Sequence, residues 1–319
     1  MDNILYFDAH CDTISRCAKL GCGLRENDGH LDLLRLREYR RAAQVFAIFF
    51  DSAAAPPEGM FAECRRQQAL FARELAQNGD LAVPCRTGAE VVQANDGGKI
   101  AALLSCEGGE LLDCDPEKLD WAKQAGVVSV NLTWNHANGL SGSHREAPER
   151  GLSDRGRAFV RRAGELGIRL DVSHCSDAAF WDLVKLTEQP VIATHSDARA
   201  ICPHTRNLTD DMFRAIAESG GVVGLNFYTA FVAPSGEPTM DDILRHFDHF
   251  LEHPQGRNGR QTCPVRGQAA QTLGDSAFCG AAQYGFGNET AVASVGRYSV
   301  GTTTQQAGAQ CRSRTQQKE

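Results

Sequence analysis

The sequence predicts an α/β fold, a parallel sheet curled into a TIM-like (β/α)8 barrel, and three observations carry that expectation. Seven short apolar, β-rich runs recur between residues 4 and 228. Segments with helical spacing separate them, an alternation that implies βαβ units around a sheet buried on both faces. Polar residues able to hold metals or move protons fall at the carboxyl ends of the runs, and in a barrel those ends converge on one face. Seven runs are one short of a closed eight-stranded barrel. A doubly wound open sheet is the alternative, although no G-x-G-x-x-G follows the first run.

The first run, ILYFDAH (4–10), places Asp8, His10 and Asp12 at alternating positions. In an extended strand alternate side chains share a face, and a buried face cannot leave three polar groups unpaired. The second run is AQVFAIFF (43–50), followed by the helical segment GMFAECRRQQALFARELAQNG (59–79). The third, IAALLSCE (100–107), ends on Glu107, and the fourth is VVSVNLTW (127–134). A second helical segment, RGRAFVRRAGELG (155–167), leads into the fifth run, IRLDVSH (168–174), which ends on His174. His195 closes the sixth run, PVIATHS (190–196), and the seventh is GVVGLNFY (221–228). Each histidine alone reads more readily as a hydrogen-bonded core residue. Five ligating groups at equivalent strand ends (His10, Asp12, Glu107, His174 and His195) reverse that preference and suit a pair of divalent metals, with zinc the best match.

Composition bounds the function. At 319 residues, 42% hydrophobic and 23% charged, the chain is long enough for one large domain or two ordinary ones. A formal net charge of −7 argues against a nucleic-acid partner. No apolar run reaches the roughly 20 residues that span a bilayer. The amino terminus has no basic segment ahead of an apolar stretch, so a secretory signal is not expected. The twelve cysteines are accordingly expected as free thiols in a reducing cytoplasm.

Six stretches carry a family resemblance: DAHCDT, SCEGGE, NLTWNHAN, DVSHCSD, PVIATHSDARAICPHTRNLTDD and GGVVGLNF. Together, in unbroken order over about residues 1 to 252, they resemble the membrane (renal) dipeptidase family of zinc-dependent dipeptidases, in its bacterial cytosolic branch. The resemblance implies a dipeptide substrate and two zinc ions. It assigns His10 and Asp12 to one ion, His174 and His195 to the other, and Glu107 as the bridge. Two metals about 3.5–4 Å apart activate water and polarise a scissile carbonyl. It also gives Arg206, in HTRN, the substrate's terminal carboxylate, with Asn207 beside it; a guanidinium fork pairs bidentately with such a group. Asp8 matches no ligand and is expected to orient a histidine from behind. Trp134 stands where some relatives carry an oxyanion-stabilising histidine. His136, two residues on, is the candidate catalytic replacement, its alternative being a solvent-exposed loop histidine. Relatives are often homodimers.

The carboxyl end departs from this pattern. After the helical segment MDDILRHFDHFLE (240–252), relatives continue into an eighth strand whose G-S-D-F-D-G-like motif supplies an aspartate to the metal centre. Here residues 254–319 hold ten Gln, ten Gly, a single Leu and no Ile or Met. Their seven Lys and Arg against three acids give +4, leaving −11 for residues 1–253. Such a segment has too little apolar surface to offset chain entropy. The expected organisation is therefore a hydrolase barrel over 1–253 and an atypical, poorly ordered tail over 254–319. The break suggests a shifted reading frame, with a genuine flexible tail or a low-complexity linker to a lost partner domain as the alternatives. General acid–base groups contribute typically 10²–10⁴-fold, so turnover is expected to suffer without the aspartate. The rival functions are another binuclear amidohydrolase acting on N-acyl amino acids, and a non-catalytic metal-binding remnant.

Overall fold

The computed structural model describes residues 5–252 and, as backbone, the short strands 282–285 and 290–293. Six strands build one parallel sheet: β1 Leu5–Cys11, β2 Arg41–Ile48, β3 Ala82–Pro84, β4 Ile100–Cys106, β5 Val127–Asn131 and β6 Arg169–Asp171. Helices intervene: α1 Thr13–Leu20, α2 Leu33–Leu36, α3 Met60–Gln77, α4 Gly88–Asp96, α5 Lys118–Gln124 and α6 Asp154–Leu166. They continue with α7 Asp177–Leu186, α8 Asp210–Glu218, α9 Thr229–Val232 and α10 Met240–Glu252. The strands β7 Ala282–Gly285 and β8 Thr290–Ala293 pair antiparallel with each other. The expected eighth barrel strand and the boundary at 253/254 lie outside the described residues.

The pairing order is β1-β2-β4-β5-β6, each step parallel. Ala101 of β4 pairs with both Ala43 of β2 and Val83 of β3, and Leu104 pairs with both Phe46 and Val127 of β5. Two partners at one residue occupy opposite edges, so β3 and β5 share one edge of β4, first half and second half. The three-residue β3 was not legible as a run, because AVP is too short to show a period.

The sixth and seventh runs take their expected places as bridged segments, not as continuous strands. Asp171 bridges to Ile192 and Ala193 to Val223, both parallel. The ladder survives in the bonds Val172 N to Ile192 O, 2.8 Å, and Ala193 N to Val222 O, 3.0 Å. Gly221 permits this approach: a Cβ there would lie 1.7 Å from the Val191 carbonyl oxygen. The parallel frame thus curls through seven chain segments as a partial barrel.

Burial on both faces holds it together. All seven residues of β4 are buried. Its Ile100, Ala102, Leu104 and Cys106 join the main apolar cluster with Phe46, Leu70 and Phe159, while Ala101 and Leu103 pack in a second with Cys85 and Ala94. A third, around Phe213, Phe227 and Phe250, ties α8 and α10 to the seventh run. Serine caps fix helix starts: the Ser153 and Ser176 hydroxyls accept from Gly156 N and Ala179 N. Among the described residues no helix is long and apolar enough to cross a membrane.

Candidate metal centre

Parallel strands bring the five expected ligand groups to one end of the sheet. His10 is the penultimate residue of β1, and Asp12 follows its end as the N-cap residue of α1. Glu107 directly follows β4, His174 lies three residues beyond β6, and His195 follows the bridged segment 192–193. The β1–β2 register slips between Asp8 and Cys11, and the β4–β5 register between Leu104 and Ser105. Such irregularities re-aim side chains at strand ends. His174 sits at φ 73°, a left-handed conformation that costs a non-glycine residue energy and persists only where surroundings enforce it. Gly108, at φ 115°, leaves no room for a Cβ, which would fall 2.5 Å from the Glu110 carboxylate.

The buried Glu107 carboxylate is the hub. Its Oε2 faces His10 Nε2 at 3.3 Å, and His10 Nε2 is 3.6 Å from Asp12 Oδ1. Its Oε1 faces His174 Nε2 at 2.9 Å and His195 Nε2 at 3.3 Å. The two histidine nitrogens are 3.0 Å apart, and the His10 and His195 rings stack at 3.9 Å. One carboxylate oxygen therefore serves each side of the cluster.

The surrounding bonds fix which nitrogens carry protons. His174 Nδ1 donates to Asn135 Oδ1 at 2.9 Å, which leaves Nε2 as a lone pair. Thr194 Oγ1 donates to Asp171 Oδ2 and accepts from His195 Nδ1 at 2.8 Å, so His195 Nε2 is also a lone pair. Burial, reinforced by Arg206, holds both imidazoles well below their usual pKa. Two imidazole lone pairs thus converge on the Glu107 carboxyl, whose own pKa burial raises, and a cation fits that arrangement. His10 differs: burial opposes its charge, but the Glu107 and Asp12 carboxylates outweigh it and raise its pKa. Among the described residues, His10, Glu107 and His195 offer ligand atoms that all lie within 4.8 Å of one another.

Asp8 meets His10 at its backbone and not at its ring: its Oδ1 accepts from His10 N at 3.1 Å and its Oδ2 from Gln44 Nε2 at 2.8 Å. Arg206 is buried, donates from Nη1 to Ser196 Oγ at 2.7 Å, and has no hydrogen-bond partner at Nε or Nη2 among the described residues. Burial lowers its pKa to about 10, against the raising pull of Asp171, Glu107 and Asp197, so it stays cationic at neutral pH. Asn207 commits its amide to the carbonyls of Cys202 and Phe231, at 2.9 and 2.8 Å. His136 is half-exposed and faces Glu146 Oε2 at 3.2 Å and Asp51 Oδ1 at 3.4 Å, with Trp134 between its ring and His174. Its polar partners are these two acids instead of Glu107.

Sequence reading missed Asn135, Asp171, Thr194 and His144. His144 Nε2 shares Asn135 Oδ1 with His174, and burial pushes its pKa down to about 3, so it is neutral. The signal for Asp171 and Thr194 lay in DVSH and ATHS, where a polar residue precedes each expected ligand.

Residues 1–254 match the family described as membrane dipeptidase, peptidase family M19. An uncharacterized protein encoded in the PQQ-III 3′ region of Acinetobacter calcoaceticus is 31% identical over 261 residues, covering 72% of this chain and 83% of that one. A Rhodobacter sphaeroides metallopeptidase, solved with a phosphinate mimic of the dipeptide L-Ala-D-Ala, superposes with TM-score 0.70 at 30% identity, covering 79% of this chain and 83% of its own. The metallopeptidase dipeptidase AC gives TM-score 0.69 at 31% identity, covering 79% and 82%.

Proposed function

The chain belongs to the membrane dipeptidase family, peptidase family M19, and on that premise we propose that it hydrolyses dipeptides at a binuclear zinc centre. The observation that carries this reading is the Glu107 carboxylate, with His10 at one oxygen, His174 and His195 at the other, and Asp12 beside His10. In this reading His10 and Asp12 would hold one ion, His174 and His195 the second, and Glu107 would serve both. When bound, the metals supply Lewis-acid polarisation of the scissile carbonyl and activation of water near neutral pH.

The remaining residues bind and orient. Arg206 offers Nε and Nη2, which no described residue engages, to the free carboxylate of the substrate. Ser196 holds the third side of that fork, and Asn207 fixes the loop that carries it through its bonds to Cys202 and Phe231. Asn135 and Thr194 keep the Nδ1 protons of His174 and His195 in place, so that both Nε2 lone pairs stay turned inward. His136, whose two ring nitrogens face Glu146 and Asp51, is assigned to the rim, where releasing one of these acids would free a ring N–H for a substrate carbonyl. Turnover is lower than the fold allows, because the sequence lacks the G-S-D-F-D-G-like motif that would supply a further aspartate.

Metal content per chain, followed on the same sample by hydrolysis of a dipeptide panel and of N-acetyl amino acids, tests the reading. About two zinc ions with dipeptides cleaved in preference to N-acetyl amino acids support it. Preference for N-acetyl amino acids reassigns the substrate class, and metal without turnover on either makes the chain a binding remnant.

A further inference from the structure

The amino-terminal helix ends in a cap that brings two cysteines together. Gly21, at φ 71°, follows α1, and its N–H donates to the Cys17 carbonyl at 2.8 Å. In a glycine-capped helix end of this kind, the residue after the glycine folds back over the residue four before it. Here those residues are Cys22 and Cys17. The Cys22 thiol donates to Cys17 Sγ at 2.9 Å, within roughly an ångström of the disulfide bond length of about 2.05 Å.

The pair is asymmetric in access. Cys17 is buried, and burial holds its thiol above the usual pKa. Cys22 is half-buried, and both sulfur-bearing residues line a cavity of about 270 Å³ together with Gly21, Arg66, Arg73 and Glu74, so the difference in access lies in the greater exposure of Cys22. The other close thiol pair among the described residues, Cys64 and Cys106 at 3.9 Å, is wholly enclosed in the main apolar cluster.

We propose that Cys17 and Cys22 form a redox-active dithiol that takes a hydroperoxide as its oxidant and closes into a reversible disulfide. The Cys22 sulfur attacks the peroxide, the O–O bond breaks, and Cys22 becomes a sulfenic acid with release of one water when the oxidant is hydrogen peroxide. The Cys17 sulfur then displaces the hydroxyl, forming the S–S bond and releasing a second water. Two thiols are oxidised by two electrons in all, and one peroxide is reduced. An external dithiol reverses the reaction by exchange. The site lies outside the metal centre, so this proposal does not rest on the peptidase reading.

The test uses the reduced full-length chain, exposed to hydrogen peroxide, blocked with iodoacetamide and digested with trypsin without reductant. The expected product is the peptide Cys17–Lys19 joined to Leu20–Arg25, two hydrogens lighter than the sum of its parts. It forms ahead of other pairings among the twelve cysteines, loses that advantage in urea, and disappears with dithiothreitol. In Cys17→Ser the Cys22 sulfenic acid accumulates and is trapped by dimedone. Both thiols surviving, Cys22 passing straight to sulfinic acid beside an intact Cys17 thiol, or no dimedone adduct in Cys17→Ser, would each overturn the proposal. In those cases the contact is only the packing of a helix cap.

Discussion

Thr194 shows how much of the centre is decided by a single hydroxyl. It stands between the Asp171 carboxylate and His195 Nδ1, and it fixes which His195 nitrogen is left to bind. Thr194→Val keeps the shape and removes that choice. Zinc affinity, read by competition with a chromogenic chelator, is expected to fall about 10–100-fold. An unchanged affinity would mean that the tautomer is set elsewhere. Glu110, three residues from Glu107 and within its field, allows a pH argument. Its carboxylate accepts from Trp134 N and Asn138 Nδ2, and burial raises its pKa to about 7. Because the folded state holds this proton more tightly than the unfolded chain, Glu110 contributes stability at low pH. That contribution is lost as pH rises from its unfolded value toward 7. Glu110→Gln gives up a hydrogen bond at every pH but removes this loss. Its Tm relative to the parent should therefore climb between pH 5 and about 8 and level off above; a flat difference would show that Glu110 titrates normally. For Arg206→Ala, KM for dipeptides is expected to rise about 10–100-fold, the scale of hydrogen bonds to a charged group, with metal content unchanged.

Elements explain what the sequence could and could not convey. Long runs such as β2 and β4 were legible because burial on both faces demands continuous apolar sequence, and α3, α6 and α10 because their apolar spacing is helical. The ligands were legible as strand-end polar residues, reinforced by the family pattern. Asn135 and His144 were not, because they reach the centre from an irregular stretch where no period constrains direction. The sixth and seventh runs read as strands, yet they keep only bridges, and their close approach depends on Gly221. Gly221→Ala must push the chain off Val191, whose carbonyl oxygen would lie 1.7 Å from the new Cβ. A stability loss of about 1–3 kcal/mol is expected from the urea midpoint, with zinc affinity falling alongside because the same segment delivers His195. Gly88→Ala, at the start of α4 with nothing within 4 Å of its Cβ, serves as the control and should stay within about 0.5 kcal/mol. Equal losses in both would remove the close-approach argument.

At the scale of the whole molecule, the ligand cluster is where separate parts of the chain are joined. Its members come from the ends of β1 and β4, from beyond β6 and from the sixth run, so one ion pair of the proposed kind would tie the first strand to segments more than half the chain away. Without a cation, converging lone pairs and a buried carboxylate oppose that closure. A metal that binds the folded chain and not the unfolded one stabilises it by mass action, about 2.7 kcal/mol for one site at a free concentration 100 times its Kd. For a domain of this size that is roughly 5–10 °C in Tm. Chelation followed by dialysis is therefore expected to lower the Tm by at least that much, and zinc to restore it. Glu107→Gln, which removes one anionic oxygen from the hub, should show a lower starting Tm response and little restoration. If the parent chain melts at the same temperature with and without zinc, the five residues do not form a metal centre in solution, and their convergence has another cause.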